Sequence, residues 1–560
     1  MSTQILGQVL RRARGLWLVM IITGMAAFAG VFTLPVLDRD EARFAQASAQ
    51  MVETGDLINI RFLDEARNKK PVGIYWMQSI TALATGAHES RAIWAYRLPS
   101  VIGACLTALF TALATTLLFG RLAGLSAGAL LGVSVLLGTE AGIAKTDAML
   151  AASCAAAFYA FVKLRLDPDG KPRPWLLLWW GAVAIGTLLK GPVAPLVAGL
   201  AVLALFAVER DFKFVWRFVD WAGLALAAAI VLPWLIAIQI STDGAFLAEG
   251  LRGDIAPKLV SGHESHGAPP GVHLVLLPLL IFPGIALLPA GFEAAYRQFR
   301  AGDRLPVLLA VCFALPAWLV FEIMPTKLPH YALPAYPALA ALIGLGFVHW
   351  RCASAIARWL GLIGFAGLAS VYAFCFGTIT RMYDGQALIT LGASAVLIWC
   401  CAMAVYYGWR QNRLALLVLL IASGLSWHVT ARGIVGPQAS DLHLAQRAMS
   451  VIEPHLGDGP AYSSFTEPSL VFLSGGAFAL TDPQTLSARE VEPEALYVLD
   501  AGRWLEGALD EPMRTQRASF LEALTAQACE DHTVSGFNYS RGAQTHLIII
   551  KTGCPPDVEG

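Results

Sequence analysis

The sequence predicts an α-helical polytopic membrane protein with about thirteen transmembrane helices and a small C-terminal α/β extracytoplasmic domain. Three observations carry this expectation. Of 560 residues, 56% are hydrophobic and only 14% are charged, and the mean hydropathy is +0.60. Soluble domains carry roughly 25% charged residues, so most of this chain must be solvated by lipid. Apolar runs of bilayer length recur along the chain and stop near residue 430. Formal net charge is zero, which leaves no global electrostatic case for nucleic acid as a partner.

Runs of roughly 17–25 residues are long enough to cross a bilayer. They fall at 16–37, 97–118, 123–139, 145–162, 175–189, 192–208, 217–238, 272–293, 305–323, 331–349, 355–377, 386–407 and 413–429. The first follows Arg11, Arg12 and Arg14 and contains Ala27-Phe28-Ala29, which mimics a signal-peptidase site. Its length marks it as an uncleaved helix. The gap near Lys190 is short enough to be a break within one long helix.

Basic residues set the orientation. Arg11, Arg12 and Arg14 precede the first span, Arg121 follows the second, Lys163 and Arg165 follow the fourth, and Arg210, Lys213 and Arg217 follow the sixth. Arg297 and Arg300, then Arg351 and Arg358, then Arg410 and Arg413 continue the alternation. By the positive-inside rule these loops are cytoplasmic, and the N-terminus with them. An odd number of spans then divides the chain into a membrane domain, 1–429, and a periplasmic domain, 430–560.

The outer loops 38–96 and 239–271 are too long to be simple turns. In the first, Phe44, Ala47, Met51 and Val52 recur at helical spacing with Gly55 as a stop. Ile74 to Leu83 repeats the pattern, so two short helices are expected along the membrane surface. Beyond 430, strand-like stretches at Leu470–Leu473, Ala495–Leu499 and His546–Ile550 alternate with helix-like ones such as Arg517–Ala528. Cys529 and Cys554 can form a disulfide if this region lies outside the cytoplasm. The other seven cysteines sit in apolar segments and read as small buried residues.

Ionisable residues at the ends of spans are costly in a bilayer and flag function. On the outer side they are Asp38, Asp40, Glu41, Arg43, Lys69, Lys70, Asp147, Lys190, Arg252, Asp254, Lys258 and Lys327, from six segments that the topology brings to one surface. Lys70, Lys190 and Lys327 each stand at or just before a proline, where a helix begins. A helix N-terminus beside a lysine suits a lipid phosphate and its departure as a leaving group. The carboxylates Asp40, Glu41 and Asp147 suit a general base that takes a proton from an acceptor hydroxyl. Asp40 also fits a helix N-cap. His263, His266 and His273 share the fourth outer loop with Glu264, without standard zinc spacing. They are expected to form a polar loop rather than a metal site.

These residues, in this order, resemble a known family. Asp38-Arg39-Asp40-Glu41-Ala42-Arg43-Phe44-Ala45 is similar to the element that follows the first helix of bacterial GT-C glycosyltransferases, the aminoarabinose lipid A transferase and its relatives in the dolichyl-phosphate-mannose protein mannosyltransferase superfamily. Gly55-Asp56, Lys70-Pro71, Tyr75-Trp76, Arg97-Leu98-Pro99-Ser100, Thr146-Asp147 and Lys190-Gly191-Pro192 follow in the expected order, and Lys327 to Ala340 is the most specific stretch. Val72 stands where the family often has a second proline, which leaves Lys69 without a role.

The resemblance implies an inverting transferase of GT-C type. It would pass a sugar from a polyprenyl-phosphate donor, in bacteria usually undecaprenyl phosphate, to an extracytoplasmic acceptor such as lipid A, lipopolysaccharide or another envelope glycan. Asp40 would act as base or acceptor-orienting carboxylate. Arg43, Lys70, Tyr75, Lys190, Arg252, Lys258, Lys327 and Tyr331 would surround the donor's phosphate. No nucleotide, metal or other cofactor is required by this chemistry. The chain would work as a monomer in the bacterial inner membrane. A protein O-glycosyltransferase of the same fold and a polyprenyl-phosphate flippase are the rivals. The flippase would carry inverted repeats and charges near the bilayer midplane, whereas here the charges cluster at one surface.

Overall fold

A computed structural model describes residues 3–37, 39–255, 267–383, 385–457, 459–506 and 510–553. The expectations for Asp38, Lys258, His263, Glu264, His266 and Cys554, and for the side chain of Asp254, lie outside the described residues.

The chain begins with α1 (Thr3–Phe28). Two helices of the first outer loop follow, α2 (Asp40–Thr54) and α3 (Gly73–Thr85), with the small hairpin β1 (Arg61–Phe62) and β2 (Glu65–Ala66) between them. Both helices lie where the apolar spacing put them. Each is stopped by a left-handed glycine, Gly55 at φ 72° and Gly86 at φ 70°. Then come α4 (Ile93–Phe119), α5 (Arg121–Gly132), α6 (Val135–Ala141), α7 (Asp147–Leu166), α8 (Arg173–Lys190), α9 (Val193–Glu209) and α10 (Trp221–Ser241). α11 (Val272–Leu280) and α12 (Leu288–Arg300) are separated by a short 3-10 turn. α13 (Leu305–Ile323), α14 (Tyr336–His349), α15 (Ala355–Met382), α16 (Ala387–Trp409) and α17 (Arg413–His428) complete the apolar part.

Among the described residues, eight helical stretches are long and apolar enough to cross a membrane, and nine if the α5–α6 pair, bent by 58°, is one span. The chain is therefore a polytopic membrane protein. The other expected spans are shorter or interrupted. α1 and α9 have short apolar stretches, α8 carries Arg173 and Lys190 at its ends, and 272–293 is broken at its 3-10 turn.

The helices pack through small residues. A Cβ on Gly103 of α4 would lie 2.6 Å from the Met149 nitrogen of α7, and one on Gly344 of α14 would lie 2.2 Å from the Ala123 carbonyl of α5. Lipid supplies no hydrophobic drive between helices, so close backbone approach has to supply the van der Waals contact. The C-terminal end of α1 exposes carbonyls that no helical amide can reach. Two buried guanidiniums answer them. Arg432 donates to the Ala26, Ala27 and Gly138 carbonyls, and Arg97 donates to those of Val31, Leu34 and Pro35 at 2.9, 2.7 and 2.9 Å.

Residues 461–552 hold a five-stranded mixed sheet in the order β4-β3-β5-β7-β6. Its strands are β3 (Ala461–Ser463), β4 (Ala479–Leu480), β5 (Leu496–Asp500), β6 (Ala528–Asn538) and β7 (Ala543–Thr552). The pairs β3–β4 and β3–β5 are parallel, while β7 runs antiparallel to β5 and β6. Leu470–Leu473, expected as a strand, instead ends a helix, Pro468–Leu473. Pro468 at its first turn presets helical φ, which a short apolar run cannot reveal by periodicity. This region docks on the first outer loop. Arg91 donates to the Phe472 carbonyl at 3.2 Å, the Tyr96 and Phe472 rings meet edge to face at 5.4 Å, and Arg39 donates to the Ser540 carbonyl. Cys529 is disulfide-bonded.

Candidate active site

The starts of α2 and α7, the end of α8 and the turn before α14 meet at one end of the helix bundle. α7 begins at Asp147, whose carboxylate is 5% exposed and receives Lys190 from the last turn of α8 at 2.5 Å. Lys145, two residues earlier, lies 2.9 Å from Glu140 and 3.8 Å from Asp147. The His330 ring completes the cluster, with Nδ1 3.4 Å from the Lys145 ammonium and Nε2 3.8 Å from Asp147. Two ammonium groups thus face two carboxylates around one imidazole, all buried or nearly so. Asp40, exposed at the first turn of α2, stands next to Glu41, whose carboxylate accepts from the Ala144 amide one residue before Lys145.

Glu140, Asp147 and His330 bring three possible ligand atoms within 4.8 Å of one another. They are the residues that could hold a metal ion. Lys145 and Lys190 already supply the positive charge that such an ion would bring to those carboxylates.

One cavity adjoins the cluster through Lys190, and a second adjoins the first through Asn68 and Lys69. The smaller, about 300 Å³, is lined by Lys70, Lys190, Asn68 and Lys69 and walled by Val231, Trp234, Leu235 and Phe246. The Lys190 ammonium also sits 5.0 Å from the Tyr331 ring centroid. The larger, about 680 Å³, is lined by Arg43, Arg67, Lys69 and Arg252, by Glu65 and Glu249, and by Thr466 and Pro468 of the C-terminal region.

The structure therefore brings together Asp147, Lys190, Lys70 and Tyr331, with Asp40 near by and Arg43 and Arg252 on the adjoining cavity. It corrects three expectations. Glu41 is no candidate base. Its carboxylate is 1% exposed and accepts two bonds from Arg97 at 2.8 Å each, plus the Leu37 and Ala144 amides at 2.8 and 2.7 Å. With both oxygens doubly engaged, it ties α2 to α4 and to the approach of α7. Tyr75 is fully buried, its ring 5.3 Å from that of Phe44 and its hydroxyl accepting from Arg67 at 3.2 Å, so it packs α2 against α3. Lys327 is buried and donates to the Ala268 and Met324 carbonyls at 2.9 and 2.5 Å, clasping the returning end of the fourth outer loop. His273 belongs to the same clasp, bonded to the Leu328 carbonyl at 3.0 Å and 3.4 Å from Glu322.

Sequence reasoning missed Glu140, Lys145 and His330. All three carried a signal. Glu140 and Lys145 are charges between two apolar runs, and His330 stands inside the Lys327–Ala340 stretch. Arg97 was legible as a motif but not as the partner of Glu41.

The fold is that of a polytopic membrane protein, and the proteins it is similar to are glycosyltransferases. Residues 69–236 match the family model described as dolichyl-phosphate-mannose-protein mannosyltransferase. The undecaprenyl phosphate-alpha-4-amino-4-deoxy-L-arabinose arabinosyl transferase of Erwinia tasmaniensis is 28% identical over 412 residues, 69% of this chain and 71% of that protein. Arabinosyl transferase 1 of Sodalis glossinidius, which acts on the same named substrate, is 28% identical over 433 residues, 73% of this chain and 74% of its own. Among solved structures, ArnT from Cupriavidus metallidurans bound to undecaprenyl phosphate shares the fold with a TM-score of 0.76 at 18% identity, covering 98% of this chain and 99% of that one. The oligosaccharyltransferase of Archaeoglobus fulgidus shares it more distantly, with a TM-score of 0.52 at 11% identity, over 96% of this chain and 74% of that one. The family model, the arabinosyl transferases and the shared fold all lie within the superfamily that the motifs resemble.

Proposed function

We propose that the chain is an inverting glycosyltransferase that moves a sugar from undecaprenyl phosphate to an acceptor outside the cytoplasm, most directly lipid A or lipopolysaccharide. The observation that carries this reading is the small cleft. It sets Lys70 and Lys190 beside an apolar wall headed by Trp234, with Asp147 at 2.5 Å from Lys190. A phosphate anion on an apolar chain is the ligand such a cleft fits. Relatives named for an undecaprenyl phosphate-linked aminoarabinose support the donor class, and that sugar is the first to test.

In this mechanism the anomeric carbon is attacked directly. The bond to the lipid phosphate breaks as the bond to the acceptor oxygen forms. The departing phosphate takes its charge into Lys70 and Lys190, while the acceptor hydroxyl releases its proton towards Asp40. Rate comes from positioning and from charge stabilisation. No residue in the scheme calls for a metal, a nucleotide or another cofactor. The same reading takes all thirteen apolar stretches as spans. It places the N-terminus in the cytoplasm and the sheet domain in the periplasm, where the disulfide of Cys529 is chemically at home, and treats the chain as a monomer of the inner membrane.

The test is turnover by the purified protein in lipid nanodiscs, given undecaprenyl-phosphate-linked aminoarabinose and lipid A, with mass spectrometry of both products. Glycosylated lipid A with release of undecaprenyl phosphate is the expected result. Movement of intact donor across a vesicle without sugar transfer would make the protein a flippase. Transfer to protein but not lipid A would make it a protein O-glycosyltransferase.

A further inference from the structure

Another cavity, of about 560 Å³, lies at the far end of the helix bundle. The Ser100 hydroxyl of α4 donates to the Lys145 carbonyl beside the charged cluster. Leu118, which lines this cavity, stands eighteen residues further along the same helix. At 1.5 Å per residue that is about 27 Å away. The loops at this end carry Arg121, Arg297, Arg351 and Arg413, so the positive-inside rule assigns it to the cytoplasm. Ligand sites of small molecules span about 300–1,000 Å³, and this volume falls among them.

One stripe of α12 forms a wall. Ala290, Glu293, Ala294, Arg297 and Gln298 line the cavity at the i, i+3, i+4, i+7, i+8 spacing that shares one helix face. Phe292 and Tyr296, off that stripe, are exposed. Aromatic rings beside arginines on such a helix sit at headgroup level. The polar groups of the wall are held in place. Glu293 pairs with Arg297 and accepts from the Ser354 hydroxyl at 2.7 Å and the Ser354 amide at 3.0 Å. The same hydroxyl caps α15, accepting from the Ala357 amide at 3.1 Å. Arg297 also donates to the Cys352 carbonyl at 2.8 Å. A guanidinium has five N–H donors, so half-exposed Arg297 keeps both contacts and can still meet a phosphate.

The other polar groups are acceptors. Asp303 is exposed and accepts from Gln298 at 2.7 Å. The His349 ring donates from Nδ1 to the Leu345 carbonyl at 3.2 Å, which makes Nε2 of the neutral imidazole an acceptor. An anion alone would satisfy Arg297 and face Asp303 as a like charge. A cation alone would do the reverse. Leu118, Phe119 and Leu345 line the same space, which suits a ligand with an apolar part. The lining therefore matches a zwitterion on a hydrocarbon chain.

We propose that this cavity binds a phosphatidylethanolamine from the surrounding bilayer. Its phosphodiester meets Arg297, its ammonium donates to Asp303 and His349, and the first carbons of its chains lie against Leu118, Phe119 and Leu345. A choline headgroup keeps both charges but has no N–H to donate, and a glycerol headgroup has no cation. The site stands apart from the donor cleft and does not rest on the transferase reading.

Cys352 also lines the cavity and is exposed, so its thiol reports occupancy. The full-length protein is placed in nanodiscs of phosphatidylcholine, or of phosphatidylcholine mixed with phosphatidylethanolamine, both membranes being net neutral. Alkylation of Cys352 by uncharged N-ethylmaleimide is followed by peptide mass spectrometry. Phosphatidylethanolamine should slow the reaction about tenfold, the scale of one charge-assisted contact. Asp303→Asn keeps an acceptor for Gln298 and should bring the two rates together, while Asp303→Glu should preserve the difference. Equal rates for the wild type in the two membranes, or a difference that survives Asp303→Asn, overturns the assignment. Protection in phosphatidylcholine discs by soluble glycerophosphoethanolamine would show that a free headgroup suffices and would overturn the lipid as occupant.

Discussion

Asp40 and Glu41 are neighbours in sequence with opposite expected responses to the same chemical change. In Glu41→Gln the side chain keeps its shape but loses its charge. Each Glu41 oxygen accepts one Arg97 bond and one backbone amide, Oε1 from Nε and Ala144, Oε2 from Nη2 and Leu37. Whichever way the new amide turns, its NH₂ faces one guanidinium N–H and one backbone N–H. Breaking a buried ion pair costs about 3–5 kcal/mol, and the stranded amide adds about 1–3 kcal/mol, not fully additively. A loss of about 4 kcal/mol is a large share of a stability margin of about 5–15 kcal/mol. Asp40→Asn, at an exposed position, should shift stability by less than about 0.5 kcal/mol and reduce turnover by about 10²- to 10⁴-fold if the residue is the base. Thermal unfolding of the detergent-purified variants gives the first quantity, and turnover per folded molecule the second. Glu41→Gln should melt far below the wild type while the folded fraction turns over normally. A Glu41→Gln protein that melts like the wild type but is inactive would return Glu41 to the catalytic set and refute the structural account.

Lys190→Gln should weaken undecaprenyl phosphate binding about tenfold, one charge-assisted contact's worth, as read by native mass spectrometry; unchanged affinity would move the donor elsewhere. Gly346→Val should destabilise by about 3 kcal/mol through overpacking, because a Cβ there already falls 2.3 Å from the Leu287 carbonyl; thermal unfolding checks it. His443 donates to the Gly436 carbonyl at 2.8 Å, and burial first, with Arg97 adding, lowers its pKa. The folded state therefore takes up its proton at lower pH than the unfolded one, so this residue costs stability as pH falls through about 6.5, and His443→Gln should flatten that acid-side slope.

Much of this was legible in the sequence because membranes impose strong periodic rules. Apolar runs located the helices, and α2 and α3 could be read from spacing and their glycine stops. Asp147 and Lys190 were legible as charges beside apolar spans, and Lys70 as a lysine just before the proline that opens the second surface helix. What escaped was pairing. Nothing in one dimension shows that Arg97 reaches back 56 positions to Glu41, so a carboxylate beside Asp40 looked equally free to act. Lys327 looked like a phosphate ligand for the same reason: proline spacing marks a helix start but not which carbonyls its neighbour finds. The stretch 470–473 was misassigned because four apolar residues fit a strand and a helix alike.

The buried cluster has a consequence for how the cleft can work. It pairs Lys145 and Lys190 with Glu140 and Asp147. On the proposed reading, an arriving lipid phosphate competes with Asp147 for Lys190. Two unit charges 4 Å apart interact by about 4 kcal/mol at an effective dielectric of 20, so sharing the lysine has a real cost that Lys70 must offset. Lys145 limits that cost. At 3.8 Å from Asp147 it keeps the carboxylate compensated while Lys190 turns towards the phosphate, and Glu140 at 2.9 Å holds Lys145 in place to do so. Without Asp147, Lys190 would keep its charge and lose its aim. Without Lys145, Asp147 would hold Lys190 too tightly to release it. On that reading the two ion pairs are one device that presents a lysine to the donor while Asp147 keeps a cationic partner.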